Sequence, residues 1–342
     1  MSTTPSTTES PFAVVRRGLR LLAHFIREHP SAYALAATGA IAFTSAIVAS
    51  AFVIGYVTEE LIEPVLAGDA PLGDRLVVAV GLVLGVGLWK MIGIVIRRTA
   101  AGWLQFGAQT RLRKRIIAHE LELPMSWYGQ RAVGDLLSVS DNDARQATWV
   151  LAPLPFATGV VFLLFATVAV VLWTDLWLGL AALALLGTVV GLDIYGSWLT
   201  FEAMEEAQRR RGRVGDVAHE SVDGALTVKA LGRADLEVAR FREGAESLRD
   251  QLVEVGRRWT FYRAITEGLP AVGIVVILFI GVVRIAVGAL GPGELVRVVY
   301  LLALLAVPVR LVGYLTWEIA HSVAGWERVE EILSITDVIR YG

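Results

Sequence analysis

The feature that most restricts this chain is a series of six apolar runs, each long enough for a helix to cross a bilayer. About 20 mostly apolar residues suffice for one crossing. The runs are about Ser31–Val57, Leu76–Ile96, Val150–Trp173, Leu176–Leu199, Ile265–Val287 and Leu295–Trp317. Hydrocarbon contains no water, so each backbone N–H and C=O in such a run must find its partner within its own segment, as a helix provides. The expected fold class is therefore an all-α membrane protein with six transmembrane helices. Composition agrees, with 55% of the 342 residues apolar, 19% charged and a mean hydropathy of +0.59, well outside the soluble norm. A formal net charge of -2 offers no bulk attraction for nucleic acid. The lack of cysteine excludes disulfides and thiolate metal sites.

Spans three and four are joined only through Thr174-Asp175, a tight hairpin. Spans five and six are joined by Gly288–Gly293, rich in Gly and Pro. Of the 31 Lys and Arg, 26 fall on one side of the six spans, and only Arg75 lies clearly in an opposite loop. The positive-inside rule then places both termini in the cytosol, in the plasma membrane of the cell. Residues 1–11, rich in Ser and Thr, are expected to form a disordered tail, and no signal peptide pattern is present. Over 12–29, Phe12, Val15, Leu19, Leu22 and Ile26 recur at helical spacing, with Arg16, Arg20 and Arg27 on another face. This pattern predicts an interfacial elbow helix lying among the headgroups.

Two long segments remain on the basic side, about Arg97–Trp149 and Thr200–Arg263. Each is short for a domain, and each has charged residues with apolar ones three or four apart, such as Leu236, Ala239, Phe241, Leu248, Leu252 and Val255. The spans are expected to continue into the cytosol as helices, about 35–40 Å for 25 residues. Each segment breaks near its middle. Pro124, Met125, Ser126, Trp127, Tyr128 and Gly129 form the first break, where Pro124 ends a helix and Trp127-Tyr128 makes an aromatic knob. The second lies near Glu220–Leu231, with Gly224 and Gly232. Short elements at the tips of long helices suit docking into grooves of a soluble partner.

At these breaks the chain resembles the six-helix transmembrane domain of ABC exporters. The first match is Leu123-Pro124, Trp127-Tyr128, Gly134-Asp135-Leu136-Leu137-Ser138 and Asn142-Asp143, with Val139 where Arg is usual. The second is Glu220, Gly224, Thr227-Val228-Lys229-Ala230 and Arg240-Phe241. The third is Gly293-Glu294-Leu295, Pro308 and Glu327-Arg328-Val329-Glu330-Glu331-Ile332-Leu333. Together they run over about 12–335. The resemblance implies a domain over 30–335 whose spans four and five cross to a second half, in a homodimer or heterodimer. It also implies coupling helices at about Pro124–Gly129 and Val222–Ala230, Glu220, Gly224, Thr227 and Lys229 included, seated on nucleotide-binding domains.

Those domains would carry ATP and Mg. This chain shows no G-x-x-x-x-G-K-[ST] loop, so no cofactor is expected in it and it should not hydrolyse ATP alone. Residues 336–342 are expected to be a linker toward such a domain, absent here or carried on a separate chain. The function implied is the permease part of an ATP-driven exporter of a small amphipathic molecule, lipid or peptide. The alternative is a proton-coupled transporter on the same fold, with Asp193 and Glu267 as carriers. Ionisable groups at membrane depth are the clues to a path. Lys90 and Arg310 are divided between a cavity role and snorkelling, and Trp89 and Trp317 between stacking on cargo and core packing. Asp193, Glu267, Arg284 and Glu318 read as interfacial or ion-paired. Gly81-x-x-x-Gly85 and Gly187-x-x-x-Gly191 permit close helix approach.

Overall fold

A computed structural model describes residues 11–66, 73–129, 134 and 137–336. Side chains are described throughout these except at 11–15, 66, 74, 197, 198, 306–314, 316 and 317. The expected tail, most of the linker, and Asp135 and Leu136 of the first motif therefore lie outside the described residues. The described residues are almost wholly helical. The elbow helix is Pro11–Glu28 and the first span Pro30–Val57, extended by a π-helical turn, Thr58–Ile62, and by Glu63–Leu66. The second span runs unbroken from Gly73 to Leu121, the fourth from Leu176 to Asp223, the fifth from Ala234 to Ala286 and the sixth from Pro292 to Leu333. These four helices have 49, 48, 53 and 42 residues, so the longest reach about 75–80 Å. The third span, Leu154–Thr174, follows a π-helical segment, Ser138–Asp143, and the helix Ala144–Trp149. Five helices are long and apolar enough to cross a membrane among the described residues, and the sixth span has comparable length.

The chain divides into two units, one of residues up to Gly179 with those from Ile280 onward, the other Leu180–Phe279. The first unit has two kinds of core. In the apolar layer, lipid removes the hydrophobic gain from helix contact, and close backbone approach must supply the attraction. Ala36, Ala40, Ala46 and Ala51 of the first span are fully buried. A Cβ placed on Gly39 would lie 2.5 Å from the Arg97 amide nitrogen, and one on Gly93 2.6 Å from that of Phe43. One on Gly159 of the third span would meet the Ala40 carbonyl oxygen at 2.9 Å. At the Gly-x-x-x-Gly pairs, by contrast, no described residue of this chain stands within 4 Å of a Cβ at Gly81, Gly85, Gly187 or Gly191. Spacing alone does not say which face of a helix meets a neighbour.

Beside the long extensions lies a water-type core, built from Leu21, Leu22 and Phe25 of the elbow, Leu104, Leu112 and Ile116 of the second helix, Val150, Leu151, Val323 and Val329. The elbow therefore packs into protein through a stripe displaced from the expected one. Gly18, Leu21, Leu22 and Phe25 turn inward, while Leu19 is 58% exposed. The cause is Gly18, whose bare face lies directly against Ile319 of the sixth helix.

The tight hairpin after span three is set by Asp175. Its Oδ1 accepts hydrogen bonds from the Trp177 and Leu178 amides at 2.9 and 3.1 Å, capping the fourth helix. Its Oδ2 meets Arg284 Nη2 at 2.7 Å. Burial raises the carboxyl's pKa, but the Leu178 amide, Arg284 and the Trp177 amide outweigh it and hold the pKa below the usual value. In the second unit, Tyr262 packs on Gly196 and Leu185 on Gly273. Ala203, Ala207 and Val255 form a small core. Of the expected apolar stripe on the fifth helix only Val255 is buried; Leu236, Phe241 and Leu252 remain exposed within this chain.

A Gly93→Val variant of the isolated chain in detergent should lose about 1–3 kcal/mol of stability by overpacking, read as a lowered thermal midpoint. Gly85→Val, facing open space, should change it by less than about 0.5 kcal/mol.

Candidate functional site

Pro124, in extended backbone conformation, N-caps a single helical turn, Met125–Tyr128. A proline cannot continue the preceding helix, so the chain leaves the second-span helix at Leu121 and starts afresh. Leu123 is buried and anchors the turn. Tyr128 Oη donates to the Glu120 carbonyl at 2.5 Å, and the Trp127 and Tyr128 rings meet edge to face at 5.1 Å. The knob thus folds back on its own helix. Met125 points away and is 80% exposed.

The second break is also a short helix, Ala225–Ala230, entered at Gly224. It begins three residues later than the Val222 start expected, because the fourth-span helix runs on to Asp223. Its end is closed by amides of Gly232 and Arg233 donating to the Lys229 and Val228 carbonyls. Gly232 there has φ +61°, a left-handed turn that suits glycine. Thr227 and Lys229 are exposed, and Leu226 is 84% exposed with Val222 and Leu231 beside it also bare. Below the turn, Glu220 Oε2 meets Arg240 Nη2 at 2.8 Å and Ser221 Oγ donates to Glu237 at 2.7 Å. These contacts clamp the two long helices on either side of the tip. Each break is thus a rigid short helix offering apolar side chains outward.

The structure also joins two motif fragments to which sequence reasoning gives no role. The π-helical segment turns Asp143 inward, where it is 1% exposed, and Arg328 Nη2 of the sixth helix stands 3.0 Å from its Oδ1. Burial raises the Asp143 carboxyl pKa, while Arg328 and Asn142 oppose the rise. Around the pair, Ser322 Oγ donates to the Gln146 carbonyl at 2.9 Å and Gln146 Nε2 to the His321 carbonyl at 2.9 Å. A Cβ on Gly325 would lie 2.8 Å from the Ala147 amide nitrogen. Arg17 of the elbow meets Glu327 at 2.6 Å. The start of the third span, the elbow and the end of the sixth span are one packed joint.

Of the membrane-depth candidates, Lys90 is exposed, with Nζ 5.8 Å from the Phe43 ring, and Trp89 is 46% exposed. The side chains of Arg310 and Trp317 lie outside the described residues. Glu267 meets Arg263 one helical turn away at 2.6 Å. Arg297 donates to Thr174 at 3.1 Å and lies 4.8 Å from the Phe52 ring.

With this geometry in place, similarity to known proteins is informative. Residues 35–309 match the family described as the ABC transporter transmembrane region. An ATP-dependent lipid A-core flippase of Aromatoleum aromaticum is 25% identical over 97% of this chain and 56% of its own length. One of Legionella pneumophila is 22% identical over 72% of this chain and 43% of its own. A multidrug efflux ATP-binding/permease protein of Mycobacterium tuberculosis is 28% identical over 83% of this chain and 24% of its own. The chain thus spans about half, or less, of the curated relatives it matches.

Removing the cation from the Asp143 joint strands a buried carboxylate. Arg328→Ala should cost about 1–3 kcal/mol, seen as a lower thermal midpoint. Adding Asp143→Asn to that variant should recover part of the loss.

Proposed function

Because the chain belongs to the ABC transporter transmembrane family, a multi-pass membrane domain of the exporter type, we propose that it is the permease half of an ATP-driven transporter. Its cargo is an amphipathic molecule of the lipid or hydrophobic-drug kind. This substrate class rests on the flippase and efflux relatives and on the apolar surface the spans present. The work comes from nucleotide-binding domains, with ATP and Mg bound there, and from a second membrane half.

The observation that carries the reading is the pair of exposed short helices, Met125–Tyr128 and Ala225–Ala230, each held at the end of an unbroken helix nearly 50 residues long. A buried core would have no use for Met125 and Leu226 in water, whereas a groove on a soluble partner would take them as anchors. When two such partners close on ATP, the short helices move with them. The long helices carry that motion to the spans, which exchange one packing for another and so alternate access. Among the residues of this chain, Pro124 and Gly224 set the positions of the short helices. Glu220 with Arg240 keeps the second tip stiff, and Asp143 with Arg328 keeps the third and sixth spans moving together. The same assembly requires both tips on the cytosolic side of the plasma membrane, in line with the basic residues gathered there.

The chain, reconstituted in liposomes with the nucleotide-binding polypeptide that supplies hydrolysis, should move a fluorescent phospholipid analogue only with ATP. Met125→Arg with Leu226→Arg should lower that rate about tenfold or more, as expected for two lost anchors, while leaving the thermal midpoint unchanged. Transport driven by a pH gradient without nucleotide would overturn the reading, as would an undiminished rate in the double variant.

A further inference from the structure

We propose that this chain holds an anionic phospholipid in a cationic pocket where the second span passes into its long extension. A cavity of about 460 Å³ lies there between the second-span helix and the start of the third, lined by Arg97, Arg98 and Arg145 together with Phe106, Trp149 and Phe156. The volume suits a headgroup and the first carbons of its chains rather than a whole lipid, and falls in the usual range of ligand sites.

The charges are the first argument. Many arginines elsewhere are matched: Arg113, Arg210, Arg240, Arg258, Arg284 and Arg328 each meet a carboxylate. In the pocket none does. Among the described residues Arg97 and Arg98 have no acidic partner, and Arg145 reaches only the neutral Asn142 side chain, at 2.9 Å. Among the described residues no acidic side chain lines the cavity. Three guanidiniums are thus gathered with nothing to offset their mutual repulsion, and an anion is what offsets it. Arg97 is also held in place for the task. Its guanidinium carbon lies 4.3 Å from the Phe156 ring centre and 5.0 Å from that of Phe43. Such stacking occupies the faces of the group and leaves its N–H edge for hydrogen bonding. Its Nε is buried and has no partner in the protein. A planar fork of donors matches phosphate oxygens.

The apolar walls are the second argument, and they favour a lipid over a bare anion. Phe106 and Trp149 are 63% and 46% exposed, and the cavity begins where the apolar run Leu76–Ile96 gives way to Arg97 and Arg98, the point at which a span meets the headgroups. Anionic lipid is drawn to basic residues at that depth, and indole rings are at home there. The pocket is separate from Lys90, and the inference concerns a resident lipid, so it does not rest on the transport reading.

The test is native mass spectrometry of the full chain in mild detergent, with phosphatidylglycerol or phosphatidylcholine added at equal concentration. A phosphatidylglycerol adduct should exceed the phosphatidylcholine one about tenfold or more. It should fall by about the same factor in Arg98→Gln/Arg145→Gln, as the loss of charge-assisted hydrogen bonds implies. Both side chains are exposed, so the fold should survive. Arg257→Gln/Arg258→Gln removes equal charge elsewhere and should leave the adduct intact. Equal retention of the two lipids, or an unchanged adduct in the pocket variant, would overturn the proposal. Inorganic phosphate displacing the lipid at equal concentration would overturn the lipid assignment in favour of a free anion.

Discussion

Lipid gives a helix no hydrogen-bond partner and no hydrophobic reward for touching another helix. The arrangement of this chain follows from meeting both conditions in one layer and neither in the next. Where the spans lie in hydrocarbon, contact is made by bare backbone at Gly39, Gly93 and Gly159. Where the helices project into water, contact is made by large side chains such as Phe25, Leu104 and Val329. The same continuous helices carry both kinds of surface, so neither layer can be repacked without disturbing the other. The ion pairs fall at the margins of these layers. Asp175 with Arg284 closes the hairpin end, and Asp143 with Arg328 closes the joint of the third and sixth spans. Each carboxylate is buried, and each is offset by a cation held on another helix.

Much of this was legible in the sequence. The apolar runs give the six spans, because length and hydropathy alone decide what can cross a bilayer. Pro124 and Gly224 mark the two short helices, because a proline without an N–H and a glycine without a Cβ weaken a helix, and in the polar segments outside the bilayer little else holds the helix together. The contacts between helices were not legible. A Gly-x-x-x-Gly spacing says that a face is smooth, and Gly81 with Gly85 shows a smooth face that meets none of the described residues. The elbow's buried stripe differs from the apolar stripe because Gly18, which carries no hydropathy signal, sits directly on Ile319.

The tertiary pairs were hidden for a further reason. Asp143 and Arg328 stand far apart in sequence, and each alone reads as a solvated charge. Only the π-helical turn over Ser138–Asp143 rotates the acid inward, and such turns leave no plain mark in composition. The arginine pocket was hidden in the same way. Arg97, Arg98 and Arg145 count equally toward orientation with every other basic residue on their side. Nothing in the sequence says that these three lack carboxylates while Arg113 and Arg115 have them.

The unbroken helices have a consequence in mechanics. A helix of 48 residues is a rod about 70 Å long, and a rod turns a small angle into a large displacement. Pivoted near one end, it swings its far tip about 6 Å for a tilt of only about 5°. Read backward, a soluble partner moving a tip by a few ångströms rotates the span by a few degrees, with the force at the pivot multiplied by the ratio of the arms. The length beyond the membrane is therefore a gear: it trades travel at the tip for torque in the bilayer, where close-packed glycines resist sliding.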